Sequence, residues 1–190
     1  GDDDLEVLEV AVGALGTSTT FDGTIKDNGT GTMALTKTGS GTLTLTGTNA
    51  YSGQTSINGG TLALGTSGSI NGTSGVSLGS GGTVDVSAKT GGYSVNRLSG
   101  SGTVIGSLSI TTELAIGNSP GTSSFQNLNL GALSTFTFEL DGGASSADLG
   151  IVSGDLIISS GSILDLVQLG TYTEDDKFTL FSYQTGHFTG

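Results

Sequence analysis

The sequence predicts an all-β parallel β-helix, a β-solenoid of about 20 residues per coil. Three observations predict it. A short phrase recurs in which a glycine or other small residue, often followed by Thr, precedes two apolar residues separated by one polar residue. The copies are spaced by nearly constant intervals: Leu43 to Leu62 is 19 residues, Leu62 to Val84 is 22 and Val84 to Val104 is 20. Gly, Ser and Asn end each phrase, where a chain must turn a tight corner. One coil cannot bury its own apolar side, but stacked coils enclose a continuous interior column.

Taken in order, residues 1–16 stand apart. Asp2 to Asp4 followed by Leu5, Leu8, Val12 and Leu15 fit a short helix with an acidic start. The alternation of Leu8, Val10 and Val12 fits a strand instead, and the valine content favours the strand. The segment reads as an end cap or docking strand, because terminal coils of a solenoid are open sheet edges. Leu5, Val7, Leu8, Val10 and Val12 are its candidate assembly residues. Residues 17–190 read as one solenoid domain.

Within that domain the phrase appears first at Gly41–Thr46, then at Gly60–Gly65 and Gly82–Val86. Looser copies follow at Gly102–Val104, Ser107–Ile110, Asn127–Leu130, Ser134–Leu140, Asp155–Ile158, Ser162–Leu166 and Lys177–Phe181. Alternation over four to seven residues, closed by turn residues, is the half-buried strand signature. Extending the spacing gives pairs Leu108 to Leu128, Phe136 to Leu156 and Leu156 to Phe178, with about nine coils and a rod on the order of 40 Å long. Asn28-Gly29, Asn58-Gly59 and Asn71-Gly72 would suit the hairpins of a sandwich as well as solenoid corners.

Composition limits the function classes. The chain has 190 residues and a net charge of −12, from 17 acids against 5 bases. Five scattered cations build no basic patch, so nucleic acid is not an expected partner. Cys is absent, which removes disulfides and thiolate-bound metal. No apolar run approaches the roughly 18–20 residues of a membrane-spanning helix, and no membrane insertion by this chain is expected. The opening Gly-Asp-Asp-Asp, without an initiator Met, is what a processed or excised segment would show.

One stretch is more specific. Lys37-Thr38-Gly39-Ser40-Gly41-Thr42-Leu43-Thr44-Leu45-Thr46-Gly47-Thr48-Asn49-Ala50-Tyr51-Ser52-Gly53-Gln54-Thr55-Ser56-Ile57-Asn58-Gly59-Gly60-Thr61-Leu62 closely resembles the autotransporter-associated β-strand repeat, also called the passenger-associated transport repeat. Its repeat positions here are Gly41, Leu43, Leu45, Gly47, Asn49, Tyr51, Gly53, Thr55, Ile57, Gly59, Gly60 and Leu62. Gly117-Asn118-Ser119-Pro120-Gly121-Thr122 resembles the Gly-x-Ser-Pro-Gly-Thr corner that follows such repeats. Phe136–Leu140 with Ala147-Asp148, and Phe178–Tyr183, resemble the terminal coils. The resemblance implies a right-handed β-helix in an exported bacterial protein, extracellular or on the cell surface. No outer-membrane β-barrel is present in this sequence to carry it.

Candidate chemistry is sparse. His187 is the only histidine, and no Gly-x-Ser-x-Gly elbow stands on a strand–helix junction. Asp141, Asp148, Asp155 and Asp165 lie close in sequence, and Glu174-Asp175-Asp176 form a cluster. A carbohydrate-active site would need two such carboxylates on neighbouring coils, with Asp148 and Asp155 as the pair to test. Neither calcium-binding loop pattern is present, and no cofactor or metal is expected. Thr42, Thr44 and Thr46 share a strand face, but the next outward residues are Ala63, Asp85, Ser109 and Asn129, which breaks the array an ice-binding surface needs. A glycan-binding adhesin would need exposed rings, for which Tyr51, Tyr93, Tyr172 and Tyr183 are candidates. The expectation is a non-enzymatic scaffold: a stalk, an adhesive passenger or a fibre subunit. Its partners would be further copies of itself, joined head to tail by edge strands, or other surface components.

Overall fold

A computed structural model describes residues 7–117, 120–142, 146–171, 176–183 and 188–189. Each phrase of alternating residues forms a strand that pairs in parallel with its counterpart one coil away, and three stacked faces result. The first face stacks β2 (Thr19–Phe21), β4 (Thr42–Leu45), β6 (Gly60–Leu64) and β8 (Gly82–Asp85). It continues through the start of β10 (Thr103–Ile116), the start of β11 (Thr122–Leu130), β14 (Leu149–Val152) and β17 (Phe181–Tyr183). The second face carries the start of β9 (Tyr93–Gly100), the middle of β10, the end of β11, β15 (Leu156–Ile158) and β18 (Phe188–Thr189). In the lower coils this face is reduced to the bridges Lys26–Ala50 and Thr48–Ser69.

The third face stacks β1 (Val7–Val12), β3 (Thr32–Lys37), β5 (Thr55–Ile57) and β7 (Val76–Leu78). The end of β9, the end of β10, β12 (Thr135–Asp141) and β16 (Ile163–Gln168) follow. The N-terminal segment is therefore a strand from Val7 onward, pairing Val10 with Leu35 and Val12 with Lys37. Residues 1–6, Leu5 among them, lie outside the described residues.

Among the named strands the one antiparallel pairing joins β12 to the two-residue β13 (Ser146–Ala147). The Asn-Gly signals are thus corners, and a sandwich is excluded: Asn28-Gly29 turns between coils with Gly29 at φ 63°. Side chains alternate, as period two requires. Leu35, Leu45, Ile57, Leu62, Val86, Ile110, Leu130 and Phe138 are fully buried, and outward neighbours are mostly Thr, Ser and Asn.

The expected spacing holds through the middle of the chain and fails at its C-terminal end. Leu43 stacks on Leu62, Leu62 on Val84, Val84 on Val104 and Leu108 on Leu128. Phe136, however, stacks on Leu164, 28 residues on, and Leu156 stacks on Phe188, 32 residues on. Leu156 and Phe178 are not partners, and the last strand of the first face begins at Phe181. The connections from the third face to the first, 142–148 and 169–180, carry the extra residues. The longer coils lower their number: the first and third faces each hold eight strands, not nine, or about 34 Å along the axis at ~4.8 Å per coil.

Candidate functional site

The repeat at residues 37–62 shows in one coil how the structure is held together. Gly41, Gly47 and Gly53 sit where two coils touch: a Cβ at each would fall 2.3, 2.1 and 2.3 Å from the carbonyl oxygens of Thr17, Gly23 and Met33. Gly60 has φ 63° as well as a close carbonyl, so it meets both conditions that demand glycine. Gly59 differs, with its nearest atom 3.5 Å away from such a Cβ.

Asn49, buried at the next corner, ties three coils. Its Oδ1 accepts from the Ile25 amide at 2.8 Å, and its Nδ2 donates to the carbonyls of Gly47 and Ser69 at 3.1 and 2.9 Å. Tyr51 is buried and its hydroxyl lies 2.7 Å from Thr55 Oγ1. Thr55 in turn donates to Thr73 Oγ1, which reaches the Gly53 and Gly75 carbonyls. Burial pushes the Tyr51 phenol up to about 12 despite the opposing bond from Thr55. Leu43, Leu45, Ile57 and Leu62 supply the apolar interior.

Lys37 was legible only as a motif letter. It points into the interior with no exposure and donates to the carbonyls of Thr38, Gly39 and Gly59 at 2.6, 3.0 and 3.1 Å. Burial lowers its pKa. Lys89 repeats the device at another corner, donating to the carbonyls of Thr66 and Gly68. Arg97 and Glu113, ladder neighbours on the third face, form an ion pair at 2.8 Å. Several of the few cations therefore join one coil to the next.

The acids have similar roles. Asp148 is buried; its Oδ1 accepts from the Gly121 amide and its Oδ2 from the Glu139 amide, both at 2.7 Å. Burial raises its pKa, and these two amide bonds act in the opposite direction. Strand β14 lies between it and Asp155, so the two occupy opposite ends of one face. Asp27 accepts from Met33 and Ser52, which lowers its pKa, the Met33 amide contributing most. Among the described residues no three acidic or histidine side chains cluster to hold a metal. His187, Tyr172, Glu174 and Asp175 lie outside those residues.

The candidate rings do not form one surface. Tyr51 is interior, and Tyr93 bonds the Ile70 amide and Asn71. Tyr183 is half exposed beside Phe188, with 5.4 Å between ring centroids. The threonine array is regular on one rank only. Thr42, Thr61, Thr83 and Thr103 stack in register, while the adjacent rank runs Thr44, Ala63, Asp85 and Ile105.

The ends of the solenoid are where apolar surface collects. At the N-terminal end the interior column opens into a cavity of about 500 Å³, lined by Val10, Val12, Phe21, Ile25, Leu35 and Leu45 among others. Leu8 beside it is 62% exposed. At the other end Leu164 and Leu166 of β16 follow the inward positions of Phe136 and Phe138, yet stand 46% and 49% exposed.

Residues 35–64 match the family model described as the passenger-associated-transport-repeat, a segment that includes Lys37, Asn49, Tyr51 and Thr55. Comparison with curated proteins and with solved structures returns no match.

Proposed function

We propose that this chain, a β-helix carrying a passenger-associated-transport-repeat, is a non-enzymatic structural segment of a bacterial protein that is secreted or displayed at the cell surface. Its work is mechanical: to hold a stiff, elongated rod as a stalk, adhesive passenger or fibre subunit. One observation carries this reading. Several of the polar side chains that a catalytic site could use are instead engaged in joining coils: Asp148, Asp27, Asn49, Lys37 and the Tyr51–Thr55–Thr73 chain. The repeat family supports the location, since its description ties it to passenger transport.

The test has two parts. Protease added to intact producing cells is expected to cleave this segment, and a chain protected until lysis overturns the surface location. The rival reading is a carbohydrate-active enzyme, checked by incubation with uronate and glucan polymers. Turnover that disappears in Asp155→Asn, while the variant keeps the parent melting temperature, overturns the structural reading.

A further inference from the structure

The two ends of this solenoid are complementary in strand direction, interior column and shape. Among the described residues β1 pairs only with β3, and β16 only with β12, so each leaves one edge of the third face unpaired. Both strands have six residues. On the first face, β2 and β17 are the corresponding edges, with three residues each. Every stacked strand runs parallel, so the last coil of one molecule presents the same strand directions as the first coil of another.

We propose that a second copy of this chain occupies the open N-terminal end, its β16 and β17 pairing with β1 and β2 as the next rungs of the same faces. This names the partner for the structural reading above and rests on it. The register follows from the fold. The interior column Val10, Leu35, Thr55, Val76, Leu98, Leu114, Phe136 ends on Leu164. Continuing it places Leu164 of one copy against Val10 of the next and Leu166 against Val12. Outward, Asp165 then meets Ala11 and Ile163 meets Glu9, so no like charges oppose each other along the seam.

Shape agrees with register. Tyr183 continues the column of Thr19, Leu43, Leu62, Val84, Val104, Phe125 and Val152, and Phe188 follows Leu156. These half-exposed rings lie on the last strands among the described residues. The opposite end holds the apolar cavity, to which Thr19 also contributes. In this register Ile163–Leu166 face Glu9–Val12 and Tyr183 faces Thr19, so edge pairing covers five residues, at the low end of the roughly five to fifteen hydrogen bonds of an ordinary interface. Repetition of a head-to-tail contact builds an open filament and not a closed ring, because the stacking axis is the solenoid axis.

The chain contains no cysteine, so introduced thiols report the contact without background. Ala11→Cys and Asp165→Cys chains, mixed and oxidised, are expected to give a disulfide-linked dimer, since outward neighbours on paired strands meet the geometric requirement. Ala11→Cys alone is expected to stay unlinked, and Ser56→Cys, on the same outward column but mid-rod, is expected not to link to Asp165→Cys. Sedimentation of the unmodified chain is expected to show length-wise association, weakened about thirtyfold or more by Leu166→Lys, the loss typical of a central interface residue. Circular dichroism of that variant confirms that the half-exposed substitution leaves the coils folded. Monomers at every concentration, or linkage of Ala11→Cys to itself, overturn the proposal. So does an end already covered by further coils of the same polypeptide in protein from its natural source. Any of these results with surface exposure intact and no turnover removes the docking and leaves the structural reading standing.

Discussion

The Tyr51 hydroxyl and Thr55 Oγ1 lie 2.7 Å apart inside the rod, where no water competes for either. Thr55 spans the gap between Tyr51 and Thr73, so three hydroxyls in two coils are satisfied through one side chain. Thr55→Val keeps shape and strand propensity but strands the Tyr51 hydroxyl, at a cost of about 1–3 kcal/mol. The double variant with Tyr51→Phe is expected to cost less than the two single changes added together, because it leaves no orphan. Chemical denaturation of the four proteins measures that coupling. The phenol adds a pH test. Its folded pKa, about 12, lies above the ordinary 10.0, so its contribution is full below pH 10 and is lost as pH rises toward 12. Absorbance titration of wild type against Tyr51→Phe is expected to show the missing phenolate only at that upper limit.

Two glycines of the same repeat are expected to behave oppositely. Gly53→Ala would place a methyl 2.3 Å from the Met33 carbonyl oxygen, in backbone that cannot yield without separating two coils. A loss of several kcal/mol, about the size of severe core overpacking, is expected. Gly59→Ala meets nothing nearer than 3.5 Å and has no positive φ, so its change should stay within about 1 kcal/mol. Melting temperatures of the pair decide it.

Leu133 carries the only positive φ of a non-glycine residue among those described, 64°, and its side chain is 76% exposed. The left-handed conformation costs a leucine about 1–2 kcal/mol. Leu133→Gly is therefore expected to stabilise the rod by up to about 1 kcal/mol, the gain being reduced by the greater freedom of glycine in the unfolded chain. Gly161, at φ 81° in the turn of the next coil and beside the Leu133 methyl, is expected to show the reverse on change to Ala. Thermal unfolding monitored by circular dichroism distinguishes the signs.

Asp148 gives a prediction at acid pH. Its folded pKa is raised, chiefly by burial, above that of the unfolded chain. In the window between the two values the folded state holds more protons, so stability contributed by this group falls as pH rises through the window and returns on acidification. Asp148→Asn removes the titration but faces the amides of Gly121 and Glu139 with one donor too many. The difference in melting temperature between wild type and this variant is expected to widen as pH falls from neutral through the carboxylate range. A difference constant with pH contradicts the assignment.

The sequence by itself determined the class of fold, the strands beginning near Gly41, Gly60, Gly82, Gly102, Ser107 and Asn127, and the stacking of Leu43, Leu62, Val84 and Val104 and of Leu108 on Leu128, because period-two alternation and a 19- to 22-residue spacing leave each apolar side chain one economical place to go. The third-face strands β3, β5, β7 and β9 came only with the structure. The sequence also marked the repeat whose Asn49, Tyr51 and Thr55 prove to be ties between coils. Tertiary structure decided the last coils. Phe136 meets Leu164, and Leu156 meets Phe188, because extra residues are taken up in the connections 142–148 and 169–180, outside the ladder. Loop length leaves no trace in the alternation of the strands it joins, so spacing alone mispaired them. The roles of Lys37 and Asp148 were equally hidden. A charge is recognised as interior only when the backbone groups that satisfy it, drawn from a neighbouring coil or a distant corner, are brought around it.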